Sequence, residues 1–201
     1  MARSENLVVI DIETTGTSLG RDEVTALALV PVDHGTPPFE CYVRTPETED
    51  KLAGVAREYF DSYATEWTRN AVSPAEAGRR LLDYLKSNDL APVTLVGHNV
   101  AFDLGFLKKM AEESGVDLAG WISHRAVDTH SLLHTLYTLG EIEKEDLTSG
   151  GAFQRFGIDF SNGGRHTALG DAIATRSLYK ALIDRFRALG NRQLRKELAQ
   201  S

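Results

Sequence analysis

Disulfide chemistry within the chain is excluded, because one residue in 201, Cys41, is a cysteine, and a lone thiol suits a reducing compartment. Its setting in FECYVRT alternates as a strand does, so a small buried hydrophobe is the expected role rather than a catalytic thiol. Long apolar runs are missing too. None approaches the ~20 residues that span a bilayer, and no separate apolar segment precedes the first predicted strand. A cytoplasmic protein without membrane attachment is expected. Cations are in deficit: 22 Lys and Arg against 29 Asp and Glu give a net charge of −7, which argues against binding nucleic acid through overall charge. From Arg176 onward the balance reverses. A solvated helix face and a phosphate-contacting surface fit that reversal equally well.

What is present suits a single domain over residues 1–201, with its patterned core at about 7–189. Leu7 to Glu13 is apolar on both faces, as a central strand is, and Val24 to Asp33 reads as its neighbour. The HGTPP stretch is a predicted turn leading to a third strand, Phe39 to Arg44. Helical patterning follows from Glu47 to Ala64, and then Ser73, Pro74 and Glu76 form a strong helix start. Val93 to Gly97 is a short buried strand, Asp103 to Ser114 a helix ending at Gly115, and a fifth strand lies near Ala126 and Val127. The last helix is predicted from Ala168 to Leu189, with Gly190 as its stop. A meander followed by alternating helices and strands indicates an α/β layered domain, a mixed sheet covered by helices, with its site at strand ends.

The stretch VVIDIETTG sets two carboxylates, Asp11 and Glu13, into a strand. Residues at i and i+2 share one face about 6.6 Å apart along the strand. Two like charges there are costly unless a cation or a proton relieves them. Asp103 and Asp171 fall in the first turns of predicted helices, where a carboxylate commonly serves the helix dipole. His166 lies in the glycine-rich approach to the last helix, a setting in which most histidines are merely exposed.

Together these residues are harder to dismiss. DIETTG, GHNVAFDLGFL and RHTALGDAIAT occur in that order, the last with an H-x4-D spacing. The pattern resembles the DEDDh exonucleases, the superfamily that holds the proofreading subunit of bacterial DNA polymerase III, RNase T and oligoribonuclease, and it covers about Leu7 to Ile183. The resemblance implies an RNase H-like layered domain with a mixed five-stranded sheet flanked by helices. It implies 3′–5′ exonuclease activity on single-stranded DNA or RNA, with release of nucleoside 5′-monophosphates. Four carboxylates and no thiolate suit Mg²⁺ or Mn²⁺, and two such ions answer the charge problem of the strand. By resemblance, Asp11 would bridge the two ions, Glu13 and Asp171 would help bind the one beside the nucleophile, and Asp103 would act on the other. His166 would be the general base, a role for which a side chain that ordinarily titrates near neutral pH is suited.

Substrate contacts are expected from Thr14, Thr15 and Gly16 after the acid pair, from His98 and Asn99 before the second motif, and from Arg165 beside His166. Turn formation accounts for the first group equally well, and local turn bonding suits Asn99. After TTG the family often places a Leu or Phe against the terminal base; here Thr17 and Ser18 precede Leu19, which is the candidate for that contact. The His-Gly-Ile-type turn common in proofreading subunits is absent between Glu47 and Asn70, so a polymerase partner stays open, whereas a homodimer is implied by resemblance to RNase T and oligoribonuclease. Three other readings stand beside this one. His130 and His134 in HSLLH share a helical face as zinc ligands do, without a convincing third ligand. An RNase H-type endonuclease would use a related acidic sheet, but H-x4-D favours the exonuclease. A catalytically decayed nucleic-acid-binding or polymerase-interaction module should have lost an acid or the histidine, and none is missing.

Overall fold

Strand β1 (Asn6–Thr14) is the spine of the molecule, and both of its faces are covered. The computed structural model describes residues 6–33, 35–52, 54–160 and 164–198, with side chains to 192; His34 of the predicted turn and the basic side chains beyond 192 lie outside them. β1 pairs antiparallel with β2 (Val24–Pro31), which pairs antiparallel with β3 (Phe39–Tyr42). On its other edge β1 runs parallel to β4 (Val93–Gly97), and β4 parallel to β5 (Ile122–Asp128). The sheet order is therefore β3-β2-β1-β4-β5, the expected mixed five-stranded sheet.

Alternation along the strands sorts the core into two layers. Val8, Ile10 and Ile12 of β1, with Leu27 and Leu29 of β2, face the layer formed by α4 (Pro74–Ser87) and α5 (Val100–Ser114). Val9 faces the opposite layer, with Ala26, Ala28 and Val30 of β2, the aromatic residues Phe60, Tyr63 and Trp67, and Ala168 and Ala172 of α8 (Ala168–Leu198). Asp11 and Glu13 continue the odd parity of Val9 and so stand on the α8 side. Opposite them across the antiparallel ladder are Ala28 and Ala26. The sequence ALAL thus gives one face leucines for packing and the other face alanines, and these small side chains leave room for the acids.

The remaining helices are α1 (Thr48–Lys51), α2 (Gly54–Asp61), α3 (Ala64–Asn70), α6 (Thr129–Thr138) and α7 (Ser149–Arg155), with a 3₁₀ turn at Lys144–Leu147. The helical pattern predicted from Glu47 to Ala64 is broken into short helices rather than continuous, with Gly54 at φ 54° marking one break. The start of α4 is as expected: the Ser73 hydroxyl accepts from the Glu76 amide at 3.3 Å, with Pro74 in the first turn. β5 extends beyond Ala126 and Val127 because an edge strand tolerates exposed polar residues such as His124 and Arg125. Gly190 does not stop the last helix, which continues to Leu198. A glycine inside a helix costs ~0.5–1 kcal/mol, too little to end one that is packed elsewhere. Cys41 is a buried free thiol, pushed above its ordinary pKa by burial, as a small hydrophobe would be. No helix among the described residues is long and apolar enough to cross a membrane.

Candidate active site

Asp11, Glu13 and Asp171 meet at the end of β1 where α8 begins. Each is half-buried, and each offers a carboxylate oxygen lying within 4.8 Å of the others. Ala168 and Ala172, fully packed against the sheet, bring the first turn of α8 close enough for Asp171 to reach. Asp103, 5% exposed, approaches from α5 on the other edge of β1. β1 outruns β4 after the Val9–Val96 pair, and hydrogen bonding by the Ile12 amide favours the charged Asp103 carboxylate at that unpaired edge.

Three carboxylates held this closely, with Asp103 beside them, oppose ionisation within the group. Burial, then the charges of Asp103, Asp171 and Glu13, pushes Asp11 well above the ordinary carboxylate range. Burial and Asp171 push Glu13 up to about 7. Asp103 is pushed up to about 8, by burial first and then by Glu13 and Asp128, against the pull of amide hydrogen bonds. Burial also raises Asp171, partly offset by His166 and Arg165. The donor set is all oxygen and anionic, so a hard divalent cation fits it.

The sign of the pH effect follows. A carboxyl whose pKa rises on folding stabilises the fold below its unfolded value, and that contribution is lost as pH rises toward the folded value. Without metal, the melting temperature should therefore fall between about pH 5 and the Glu13 and Asp103 values of about 7 and about 8. Saturating Mg²⁺ or Mn²⁺ should remove most of that fall, so the metal-induced rise in melting temperature grows with pH as fewer protons must be displaced. Thermal melts in EDTA and in metal across this range check both; a metal effect independent of pH would contradict the assignment.

His166 has left-handed backbone, φ 64°, and its amide donates to Asp171 Oδ2 at 3.2 Å. Its ring stacks on Tyr59 of α2, centroids 3.9 Å apart and planes inclined by 7°. A cleft of about 610 Å³ opens beside Glu13, lined by Thr14, Thr15, Gly16 and Thr17 on one side and by Lys51, Val55, Tyr59 and Phe102 among others.

The predicted substrate residues divide. Thr15 is 2% exposed, and its hydroxyl accepts from the Glu23 amide at 3.0 Å, so it holds the β1–β2 connection while lining the cleft. The Thr14 hydroxyl donates to the Gly16 carbonyl at 2.6 Å. Gly16 has no room for a side chain, since a Cβ there would lie 2.5 Å from the Asp22 carboxylate. Leu19 is exposed and lies across Gly105 of α5, outside the cleft wall. Tyr59 and Phe102 are the aromatic residues among those lining the cleft, and sequence reading singled out neither, although Phe102 immediately precedes Asp103 in GHNVAFD. His98 bonds the Thr129 hydroxyl at 3.1 Å, Asn99 is exposed at φ 66°, and Arg165 packs over Gly150 and Phe160. His130 and His134 have ring centroids 6.2 Å apart, and among the described residues the acidic trio is the one grouping of three or more donors that could hold a metal.

The family model described as Exonuclease matches residues 8–179. The chain belongs to this exonuclease family. Within it, ribonuclease T of Hahella chejuensis is 29% identical over 194 residues, which cover 91% of this chain and 85% of that protein. A DNA polymerase III subunit epsilon-like protein of Rhodobacter capsulatus is 28% identical over 184 residues, 91% of this chain but 24% of the relative. Solved structures share the fold. E. coli exonuclease I in complex with a dT13 oligonucleotide superposes with TM-score 0.74 at 19% identity, over 94% of this chain and 43% of that one. The nuclease domain of 3′hExo, a DEDDh family member bound to rAMP, gives TM-score 0.72 at 13% identity, over 91% and 94%. By family the chain is an exonuclease, and it has the RNase H-like fold of these structures.

Proposed function

We propose that the chain removes nucleotides one at a time from the 3′ end of single-stranded DNA or RNA, using two Mg²⁺ or Mn²⁺ ions and a histidine base. The observation that carries this reading is the meeting of Asp11, Glu13 and Asp171 within 4.8 Å, with His166 tied to Asp171 through its amide. Asp11, Glu13 and Asp171 would hold the ions, with Asp103 contributing from the opposite edge of β1. Bound divalent ions supply charge neutralisation at the scissile phosphate and favour ionisation of water near neutral pH. His166 takes the proton from the attacking water. The first turn of α8 holds that histidine in place through the Asp171 contact.

The cleft beside Glu13 would take the terminal nucleotide. Phe102 offers a ring against which a base of any identity can stack, and the Thr14-to-Thr17 backbone lines the opposite wall. Lys51 also lines the cleft, its ammonium already paired with Glu23 at 2.5 Å and Glu47 at 3.0 Å. Product identity tests the chemistry. Chromatography of a digest should show nucleoside 5′-monophosphates from the earliest time point; nucleoside 3′-monophosphates or internal fragments would contradict the proposed direction of attack. Comparing DNA with RNA of the same sequence identifies the preferred sugar.

A further inference from the structure

Helix α2 and the residue just past its end touch the proposed base at two points. The Tyr59 ring stacks on the His166 imidazole at 3.9 Å and nearly parallel. Three residues on, the Ser62 hydroxyl lies 2.7 Å from the Tyr59 carbonyl and 3.1 Å from the His166 carbonyl, bridging the end of α2 to the loop before α8. His166 needs such support because its backbone is left-handed, φ 64°, a conformation that costs a residue with a side chain of order 1 kcal/mol or more. Held at its amide by Asp171, at its carbonyl by Ser62 and on its ring face by Tyr59, the histidine is fixed at three points.

Tyr59 also faces the substrate cleft. Val55, Ala56 and Tyr59 lie on one side of α2 and line the cleft together. Phe60, the next residue, points the other way into the core against Tyr63 and Trp67, which fixes the rotation of the helix. Tyr59 therefore stands between the cleft and the imidazole on a helix that cannot easily turn.

We infer that Tyr59 is a positioning residue that holds the His166 ring at the angle required for proton transfer, through stacking rather than through its hydroxyl. This rests on the reading of His166 as the base. Stacked pairs contribute an amount comparable to a severalfold change in the population of a side-chain orientation. Loss of orientation at a reacting group lowers the chemical step more than substrate affinity.

The test is a double-mutant cycle on single-stranded oligonucleotide hydrolysis in saturating Mg²⁺, using Tyr59→Leu, Tyr59→Phe and His166→Asn. Tyr59→Leu should lower kcat about five- to tenfold with KM within about twofold, while Tyr59→Phe, which keeps the ring, should stay within about threefold of the parent kcat. In the His166→Asn background, Tyr59→Leu should add less than about twofold. An independent readout is the imidazole carbon-bound proton resonances of His166: ring current from Tyr59 shifts them upfield, and they should move downfield in Tyr59→Leu but not in Tyr59→Phe. A slow His166→Asn variant with Tyr59→Leu at parent kcat would overturn the positioning role alone. So would a full additional loss in the double variant, a change confined to KM, or histidine resonances unmoved by Tyr59→Leu. Parent turnover in His166→Asn would instead remove the base itself, and this role with it.

Discussion

Asp11→Asn is expected to stop hydrolysis, with kcat down at least about 10³-fold, while raising the melting temperature of the metal-free protein. Both effects have one cause. Asp11 faces Glu13, Asp171 and Asp103 together, and its ionisation is opposed by burial and by all of them. Asparagine fills the same space beside Ala28 but carries no charge. The apo protein loses a repulsion, and the divalent ions lose an anionic ligand. Activity and stability therefore move in opposite directions, as they do where a site is held against its own strain. Kinetics and thermal melts in EDTA on the same preparation check this. Near-parent turnover would refute the assignment of Asp11 as a ligand, and a lowered apo melting temperature would show that the carboxylate is structural.

His166→Asn is expected to slow turnover by about 10² to 10⁴, the range for loss of a general base. Asparagine is the suitable replacement because it tolerates left-handed backbone better than most residues, so the φ of 64° need not change. The carboxylates stay in place, and the rise in melting temperature with Mg²⁺ or Mn²⁺ should match that of the parent. This separates the two roles: a lost metal response would make His166 a support for the acids rather than a base.

Much of this site was legible because it follows the two-residue period of a strand. Asp11 and Glu13 share a face in any strand, and Val9 before them shows that the same face is buried further along. What the sequence could not show is register. Ala28 and Ala26 stand beside the acids only because β2 pairs where it does, and nothing local to ALAL announces it. The arrival of Asp171 was legible through resemblance alone, since it depends on how α8 packs against the sheet. Tyr59 was invisible for the same reason, because its partner His166 is distant in the chain and the pair has no spacing rule.

Errors in the reading also have physical causes. Gly190 looked like a helix stop, but a glycine stop works through left-handed backbone, and Gly190 is not among the glycines at positive φ. For the threonines of DIETTG, turn formation and substrate contact fitted the sequence equally well, and the Thr15 hydroxyl accepts from the Glu23 amide while the residue also lines the cleft. Leu19, the candidate apolar residue after TTG, is exposed and lies over Gly105, while Tyr59 and Phe102 are the aromatic residues that line the cleft.

The most direct test of the whole account is a time course on 5′-labelled single-stranded DNA and RNA of equal sequence, run with Mg²⁺, with Mn²⁺ and with EDTA. The expected result is a ladder that shortens one nucleotide at a time from the 3′ end, present with either metal and absent in EDTA. Undiminished cleavage in EDTA, products cut first at internal positions, or intact strands under every condition would contradict it.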